Sequence, residues 1–345
     1  MGPFAQQESN GTQEGIVFRK SLGTYTVHTD GRIVQCSISS KLRKHLEYWW
    51  DASQSPGMHK RVKQVHDIRE VDPVAIGDHV RFVGAPDDAQ FHCADEGMIV
   101  EVLPRRNTFS RPAAGHKPIE QVIVANVDQV MPVFAAREPK PHWRQLDRYI
   151  AAAEFAGVPS VICINKIDLA RTDDGIEEVA AMYKRIGYQV LLTSATTGEG
   201  IDAFAEALHG RITAMTGRSG VGKTSLLNAI QPELGLRVGE VSQVTGKGRH
   251  TTSQLEMFPL VDGGAIVDTP GMREFEIRHE PAEGGLAYLF VEMQPYIGQC
   301  RFGLDCEHWH EPDCAIKEAT EAGEIAQMRY DSYVHILRHM PGKRH

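Results

Sequence analysis

The segment GRSGVGKTSL, residues 217–226, constrains the fold more than any other part of the sequence. It fits the pattern GxxxxGK[ST] and lies between an apolar run, ITAMT, and a helix-forming run, SLLNAI. The pattern needs this strand–loop–helix context, because backbone N–H groups at the start of the helix must point at phosphates. The sequence therefore predicts an α/β sheet with a phosphate-binding loop almost two-thirds of the way along the chain.

Glycines in this loop allow the backbone to wrap around phosphates, Lys223 can reach the outer phosphates, and the Thr224 hydroxyl can ligate Mg²⁺. The motif DTPG follows a second apolar run, so Asp268 is expected to hold the same Mg²⁺ through water. The Gly271 N–H is expected to sense the γ-phosphate. The predicted phosphate-binding residues of the loop are Gly217, Arg218, Ser219, Gly220, Val221, Gly222, Lys223, Thr224 and Ser225.

A guanine-recognition motif precedes the phosphate-binding loop. NKID, residues 165–168, ends the apolar run VICI, and loops at the carboxyl ends of parallel strands face a ligand crevice. Asp168 can accept hydrogen bonds from the N1–H and the exocyclic amine of guanine, a donor pair that adenine lacks. Asn165 is expected to tie this loop to the base and to the phosphate-binding loop, and Lys166 to cover the ring.

The order of these motifs is unusual. TSA, residues 193–195, ends the next strand, and Ser194 and Ala195 are expected to present backbone N–H groups to the guanine oxygen. Guanine recognition thus precedes phosphate binding, whereas an ordinary GTPase begins with the phosphate-binding loop. Permutation at a surface loop leaves a sheet unchanged, because the termini of such a domain can lie close together. The sequence therefore predicts a circularly permuted P-loop GTPase domain over residues 113–280.

The position that supplies the water-orienting glutamine in many GTPases, directly after the DTPG glycine, is Met272. Another group must therefore orient the attacking water, or hydrolysis must be very slow. GRHTT lies in the polar loop between the two phosphate motifs. We take His250 as the candidate for positioning the water and Thr251 or Thr252 as the switch threonine, and the spacing does not decide between the two threonines.

Residues 14–112 contain about five short apolar runs separated by Gly, Asp and Pro turns. This pattern predicts a small Greek-key barrel of the OB type, although another small barrel or a sandwich would give the same periodicity. The net charge of −8 does not favour nucleic-acid binding by the whole surface. Basic residues nevertheless cluster here, at 41–44, 59–63 and 105–111, so an RNA footprint is sought here first.

Residues 281–345 are predicted to form a third, mainly helical unit that ends in one amphipathic helix over residues 316–340. Between its helices lie three thiols and one imidazole within fifteen residues: Cys300, Cys306, His308 and Cys314. Tetrahedral Zn²⁺ takes this set in closed structural sites, and would stabilise a unit too small for a large core. Reduced free cysteines are one alternative, and a redox or Fe–S role, for which three cysteines are few, is another. His310 could replace His308 as the nitrogen ligand.

The permuted motifs, the β-rich N-terminal part and the Cys/His unit together resemble the circularly permuted small-ribosomal-subunit biogenesis GTPases, the RsgA or YjeQ family. The resemblance covers nearly the whole chain, and its motifs are ANVDQ, NKID, GRSGVGKTSLLN, GRHTT, DTPGMREF and DCEHWHEPDCAI. It implies three domains: an OB-fold, a permuted GTPase and a zinc-binding domain. It also implies that the small subunit stimulates a slow hydrolysis of GTP to GDP and phosphate during late maturation, coupled to release.

The resemblance also implies residue roles. His250 would activate water where a hydrophobic residue, here Met272, replaces the glutamine, with Lys223 and the switch threonine completing the catalytic group. The zinc ligands map onto Cys300, Cys306, His308 and Cys314. In the family pattern the first two cysteines are one residue closer than they are here, which makes Cys300 the least secure of the four ligands.

The implied cofactors are one structural Zn²⁺ per chain and Mg²⁺ with GTP. The implied partners are the small ribosomal subunit, its rRNA and GTP or GDP, with no membrane and a monomeric chain. Residues 1–13 are predicted to be a flexible lead-in without the apolar centre of a signal peptide, which indicates a cytoplasmic protein. The competing interpretation is a GTP-gated RNA-binding module that acts on another RNA, such as tRNA, with incidental hydrolysis.

Overall fold

A computed structural model describes residues 12–21, 23–40, 42, 73–84, 96–112, 120–234, 256–268 and 284–340. These residues form two compact units. The first runs to Val127 and includes residues 256–258, and the second comprises the described residues from Asp128 onward, apart from 256–258. The domain boundaries at residues 13, 112 and 280 stay predictions. None of the described helices is long and apolar enough to cross a membrane.

The first unit contains a closed five-stranded barrel, which confirms the predicted OB-type barrel. Its strands follow one another in the order β1-β2-β3-β5-β4, and only β3 and β5 pair in parallel. Alternate side chains point inward, as strand geometry requires, and Val17, Val27, Phe82 and Ile99 are buried in the barrel core. The strands are β1 (Thr12–Ser21), β2 (Thr24–Thr29), β3 (Arg32–Ile38), β4 (His79–Gly84) and β5 (Glu96–Val102).

A two-stranded antiparallel hairpin, β6 (Thr108–Pro112) and β7 (Glu120–Ala125), follows the barrel in the first unit. Asn126 directly follows β7 and has a left-handed φ of 57°. The Asn126 side chain accepts a hydrogen bond from the Arg106 N–H and donates one to the Gly77 carbonyl. These bonds fix the turn at which the chain leaves the hairpin.

The second unit contains the strands that follow one another in the order β10-β9-β8-β11-β13 in a six-stranded sheet, and β12 is the last strand of that sheet. The five strands from β10 to β13 in that order are parallel neighbours, and helices connect them as the alternating sequence pattern predicts. The strands are β8 (Gln129–Ala135), β9 (Val161–Asn165), β10 (Gln189–Thr193), β11 (Ile212–Thr216), β12 (Met257–Pro259) and β13 (Ala265–Asp268). The helices are α1 (Trp143–Phe155), α2 (Ile176–Ile186), α3 (Ile201–Leu208) and α4 (Lys223–Ile230).

The strand order places a switch point between β8 and β11. The chain adds β9 and β10 on one side of β8 and then returns to add β11 and β13 on the other side. Loops that leave neighbouring strands in opposite directions open a crevice at the carboxyl edge of such a sheet. The loop after β11, which carries the glycine-rich motif, therefore borders this crevice.

The C-terminal part consists of short helices around the Cys/His cluster. Three 3-10 helices span Gly285–Leu289, Val291–Tyr296 and Gly303–Asp305, and two α-helices follow, α5 (Ala315–Glu321) and α6 (Gln327–His339). The prediction of one continuous final helix is wrong. Gly323 has a φ of 79°, a left-handed conformation that ends a helix, and it separates α5 from α6.

Helix α1 and the C-terminal helices share one hydrophobic core. Ala151 of α1 lies in the same buried cluster as Phe290, Ile316, Tyr333 and Leu337. Since burying apolar surface stabilises whichever segments it joins, α1 and the C-terminal part support each other.

Candidate functional site

The glycine-rich loop packs tightly against the strands beside it. A Cβ at Gly217 would lie 2.3 Å from the carbonyl oxygen of Val133, and a Cβ at Gly222 would lie 2.3 Å from Nδ2 of Asn165. Gly222 also has a φ of 97°, which other residues rarely adopt. Only glycine fits at these two positions, so the close loop geometry follows directly from the sequence.

Lys223 and Thr224 are the first residues of α4, and both are buried. The Lys223 ammonium donates a hydrogen bond of 2.8 Å to the Gly217 carbonyl, which places its charge inside the curve of the loop. The N–H groups of the first helical turn have no partner within the helix and carry partial positive charge. Ammonium and N–H groups together make this loop a site for phosphate oxygens.

Asn165 connects the two nucleotide motifs. Its Nδ2 donates a hydrogen bond of 2.9 Å to the Val221 carbonyl in the glycine-rich loop. Its Oδ1 accepts a hydrogen bond of 3.2 Å from the Thr193 hydroxyl at the end of β10. Asn165 and Thr193 are buried, so these bonds are shielded from water. Hydrogen bonds through Asn165 therefore connect the NKID loop, the start of the TSA segment and the phosphate-binding loop.

Asp168 is oriented by a neighbouring side chain. The Ser194 hydroxyl donates a hydrogen bond of 2.5 Å to Oδ1 of Asp168, and accepts one from the Thr197 N–H. The sequence assigned Ser194 only a backbone role, so this side-chain contact is an addition. Asp168 itself is exposed, which leaves its carboxylate accessible to a purine edge.

Lys166 has a left-handed φ of 61°, and its ammonium donates a hydrogen bond of 2.6 Å to the carbonyl of Glu138. Glu138 lies in the loop after β8 and was not singled out by sequence reasoning. No local motif marks it, because only its backbone carbonyl is used.

The predicted magnesium ligands come from two neighbouring elements. Thr224 begins α4, and Asp268 ends β13, where it pairs in register with Met215 of β11. Mg²⁺ takes hydroxyl and carboxylate donors in sites of this kind, so the predicted ligands stay Thr224 and Asp268. His250, Thr251, Thr252, Gly271 and Met272 lie outside the described residues.

The Cys/His cluster forms a second candidate site. Sγ of Cys300, Cys306 and Cys314 and one ring nitrogen of His308 all lie within 4.8 Å of one another, and all four residues are buried. Sγ of Cys300 is 3.7 Å from Sγ of Cys314, and Nδ1 of His308 is 3.4 Å and 3.5 Å from these two sulfurs. A tetrahedron with Zn–S of about 2.3 Å and Zn–N of about 2.0 Å has edges of about 3.5–3.8 Å.

The donor atoms of Cys300, His308 and Cys314 therefore have the spacing of ligands of a tetrahedral ion, and the Cys306 sulfur lies within 4.8 Å of all three. Cys300 lies with the others despite its longer spacing in the sequence. The ring of His310 instead packs on Trp309, with ring centroids 3.6 Å apart. The described residues contain no further group of this kind.

The surroundings of the thiols favour a bound cation. Burial raises the pKa of the Cys306 thiol to about 12 and also raises the pKa of Cys314, so thiolates here need a compensating positive charge. Cys314 directly precedes α5, whose N–H groups at Ile316 and Lys317 donate hydrogen bonds to its sulfur. These bonds orient the sulfur and stabilise its ionised form.

Two tyrosines of α6 hold the loop that carries His308. The Tyr330 hydroxyl donates to the His308 carbonyl at 2.9 Å, and the Tyr333 hydroxyl donates to the Glu307 carbonyl at 2.7 Å. His308 has a left-handed φ of 57°, a conformation that the tyrosine bonds stabilise. Helix α6 is therefore part of the framework of the metal group.

A guanine-recognition loop that precedes a phosphate-binding loop on one parallel sheet defines a circularly permuted P-loop GTPase. The RsgA GTPase family model matches residues 102–278. The chain belongs to the RsgA GTPase family, and is therefore a GTP-hydrolysing enzyme.

Relatives and solved structures agree with this assignment. A protein of Moorella thermoacetica named small ribosomal subunit biogenesis GTPase RsgA is 39% identical, covering 94% of this chain and 96% of its own. A protein of the same name from Gemmatimonas aurantiaca is 41% identical over 84% of this chain and 91% of its own. Among solved structures, the crystal structure of YjeQ from Thermotoga maritima matches with a TM-score of 0.70 and 32% sequence identity. The match covers 96% of this chain and 100% of that chain. The crystal structure of YloQ, described as a circularly permuted GTPase, is 29% identical, with a TM-score of 0.62 and 96% coverage of both chains.

Proposed function

We propose that this GTPase binds the small ribosomal subunit and hydrolyses GTP during late subunit maturation. The subunit stimulates hydrolysis, and hydrolysis is coupled to release. The observation that carries the nucleotide part is the bond from Asn165 to Val221, which joins the guanine and phosphate motifs although they lie 56 residues apart. The partner is inferred from the relatives named for small-subunit biogenesis, which match most of the chain.

Each site residue has a role in this proposal. Asp168, held by Ser194, accepts the guanine N1–H and amine, and the Ala195 N–H faces the guanine oxygen. Thr224 ligates Mg²⁺ directly and Asp268 through water, while the Gly271 N–H contacts the γ-phosphate. Lys223 neutralises charge that develops on the outer phosphates during transfer. Gly217 to Ser225 supply the remaining phosphate contacts.

His250 is proposed to position the attacking water, with Thr251 or Thr252 as the switch threonine. We expect His250→Ala to lower the turnover measured with purified small subunits by about 10²–10³-fold, because a positioned base contributes about that much. Binding of labelled GDP should stay unchanged, since His250 is not a ligand of the nucleotide. The measurement is phosphate release with and without subunits.

His209→Ala is the matched control for this substitution, because His209 is an exposed histidine at the end of α3. It should leave stimulation at the wild-type level. If His250→Ala were stimulated as strongly as the control, another group would position the water. The same assay with free tRNA tests the competing function: stimulation by tRNA and none by subunits would replace the small subunit as partner.

The Cys₃His group is proposed to hold one structural Zn²⁺, with Cys300, Cys306, His308 and Cys314 as ligands. Closed four-ligand sites of this kind stabilise folded structure and leave no open position for chemistry. The distances among the Cys300, His308 and Cys314 donors support the proposal, because they match the edges of a tetrahedral site, and the Cys306 sulfur lies within 4.8 Å of them.

Two histidines two residues apart provide the test of the metal site. We expect His308→Ala to lower the bound zinc well below one per chain and to lower the thermal unfolding midpoint, because an open site binds zinc more weakly. His310→Ala should keep one zinc, since its ring packs on Trp309 instead. Elemental analysis of the purified proteins gives the metal content. Loss of zinc from the His310 variant alone would reverse the ligand assignment.

A single chain carries the guanine loop and the phosphate loop, so the site needs no second copy, and we propose a monomer. A protein that acts on ribosomal subunits works where those subunits are assembled, and we therefore propose a cytoplasmic location without a membrane partner.

A further inference from the structure

Five basic side chains lie together where α1 meets α6, and we call them the basic cluster: Arg144, Arg148, His335, Arg338 and His339. The two helices are joined by a hydrogen bond of 2.6 Å from buried Arg329 of α6 to Asp147 of α1. Arg144 and Arg148 are one turn apart on α1. The rings of His335 and His339, one turn apart on α6, have centroids 4.3 Å apart.

The charges that act most strongly on His335 are all positive. Burial lowers the pKa of His335, and the positive charges of His339, Arg144, Arg338 and Arg148 lower it further. No carboxylate of the described residues acts on this imidazole with comparable strength. Asp147 of α1 is buried against Arg329, and Asp331 of α6 accepts a hydrogen bond from Gln327. In a chain with a net charge of −8, this concentration of positive charge is a distinct surface.

An aromatic pair borders the basic cluster. The Arg338 guanidinium lies 5.4 Å from the centroid of the Trp309 ring, and the exposed His310 ring packs on the same tryptophan. Arginine forks bind phosphate oxygens in pairs, and aromatic rings stack on nucleobases. An RNA strand would use both the arginines and the adjacent rings.

We propose that the basic cluster, with Trp309 and His310, is an RNA-binding surface that holds backbone phosphates on its arginines and an unpaired base against the aromatic pair. The inference rests on the proposed function for the class of partner, RNA, and adds where on this unit that partner binds. The surface lies on helices of the second unit, outside the N-terminal basic runs in which the sequence placed the RNA footprint first.

The test is the binding of a fluorescently labelled, unstructured 20-nucleotide RNA, followed by anisotropy at several salt concentrations. Arg144→Glu with Arg338→Glu should weaken binding at least tenfold at about 100 mM salt, and should reduce the slope of log affinity against log salt by about 1.4, since two phosphate contacts are lost. His310→Ala should weaken binding about fivefold with no change in that slope, because stacking carries no net charge.

Lys184→Glu with Arg185→Glu is the matched control, because it makes the same change in net charge at exposed positions of α2. It should leave both affinity and slope near wild type. Equal losses in the two double variants would show a net-charge effect and overturn the proposal, as would a cluster variant with wild-type affinity. Competition by polyglutamate as effective as competition by unlabelled RNA would also overturn it, in favour of an acidic protein partner.

Proton linkage gives a second readout. A phosphate beside His335 raises the pKa of the imidazole relative to the free protein, so binding takes up a proton and is stronger at low pH. Affinity should therefore fall as pH rises from about 5.5 to 7.5, and His335→Gln should flatten this dependence. A wild-type affinity that does not change over this range would remove His335 from the surface.

These outcomes separate the inference from the proposed function. If RNA binding depends on the basic cluster but subunits do not stimulate the wild-type protein, the RNA-binding surface would be retained and the small-subunit function rejected. If subunits stimulate the wild-type protein but substitutions in the basic cluster do not change its RNA affinity, the small-subunit function would be retained and the RNA-binding surface rejected.

Discussion

Arg329→Ala will destabilise the second unit by about 3–5 kcal/mol, because it leaves two carboxylates buried without their counter-charge. The Arg329 side chain is fully buried, and it donates hydrogen bonds to Asp147 at 2.6 Å and to the two carboxylate oxygens of Glu292 at 2.5 Å and 3.1 Å. Its guanidinium also lies 4.6 Å from the ring centroid of Phe290. The measurement is the free energy of unfolding in urea, followed by tryptophan fluorescence.

The ion pair between Arg301 and Asp313 provides the matched control. It has an N–O distance of 3.1 Å, but both side chains are about two-thirds exposed. Arg301→Ala should therefore cost less than about 1 kcal/mol, since water screens an exposed pair and replaces it at little cost. Equal losses for the two variants would mean that Arg329 is as hydrated as Arg301, and would contradict the structure.

The charges around Arg329 explain why its removal destabilises the second unit. Burial lowers the pKa of the guanidinium, but Asp147 and Glu292 raise it more, so the pKa of Arg329 stays well above its ordinary value. The Tyr183 hydroxyl of α2 donates a further hydrogen bond of 2.7 Å to Asp147. The network thus joins α1 and α2 to α6. Helix α6 carries both Arg329 and the tyrosines that support the His308 loop.

Sequence reasoning could predict the elements whose signal is local. The five apolar runs of the barrel, the strands and helices around the phosphate-binding loop, and the Cys/His cluster each have a short pattern with a physical cause. The break at Gly323 was missed, because the apolar spacing continues across it and a single glycine does not exclude a helix.

Contacts between distant segments could not be predicted in this way. Arg329 and Asp147 are 182 residues apart, and each looks like an ordinary charge on a helix until the fold buries them together. The Thr193–Asn165 bond was missed for the same reason, although both residues belong to motifs that the sequence had marked. The basic cluster is likewise built from two helices, and neither helix alone has a basic run.

Asp168→Asn will reverse the base preference of the site, with GTP binding weakened by about 10²–10³-fold, the cost of two hydrogen bonds to a charged acceptor. Guanine offers two donors, N1–H and the amine, whereas an asparagine side chain offers one acceptor and one donor. Its amide N–H₂ would therefore face the guanine amine. Xanthine has a carbonyl in place of that amine, so xanthosine triphosphate matches the asparagine and should bind more tightly than GTP.

The orientation of the loop should survive this substitution, because the Ser194 hydroxyl that donates to Oδ1 of Asp168 at 2.5 Å can donate equally to an amide oxygen. Asp174→Asn is the matched control: Asp174 accepts hydrogen bonds from Arg171 and Arg137 outside the base-recognition loop, so its variant should keep the preference for GTP. Titration calorimetry with GTP and with xanthosine triphosphate measures the two affinities directly in each variant. An Asp168→Asn protein that still preferred GTP would show that another group recognises the purine edge. A reversed base preference in this variant alone would assign guanine recognition to the Asp168 carboxylate, which lies ahead of the phosphate-binding loop in the chain.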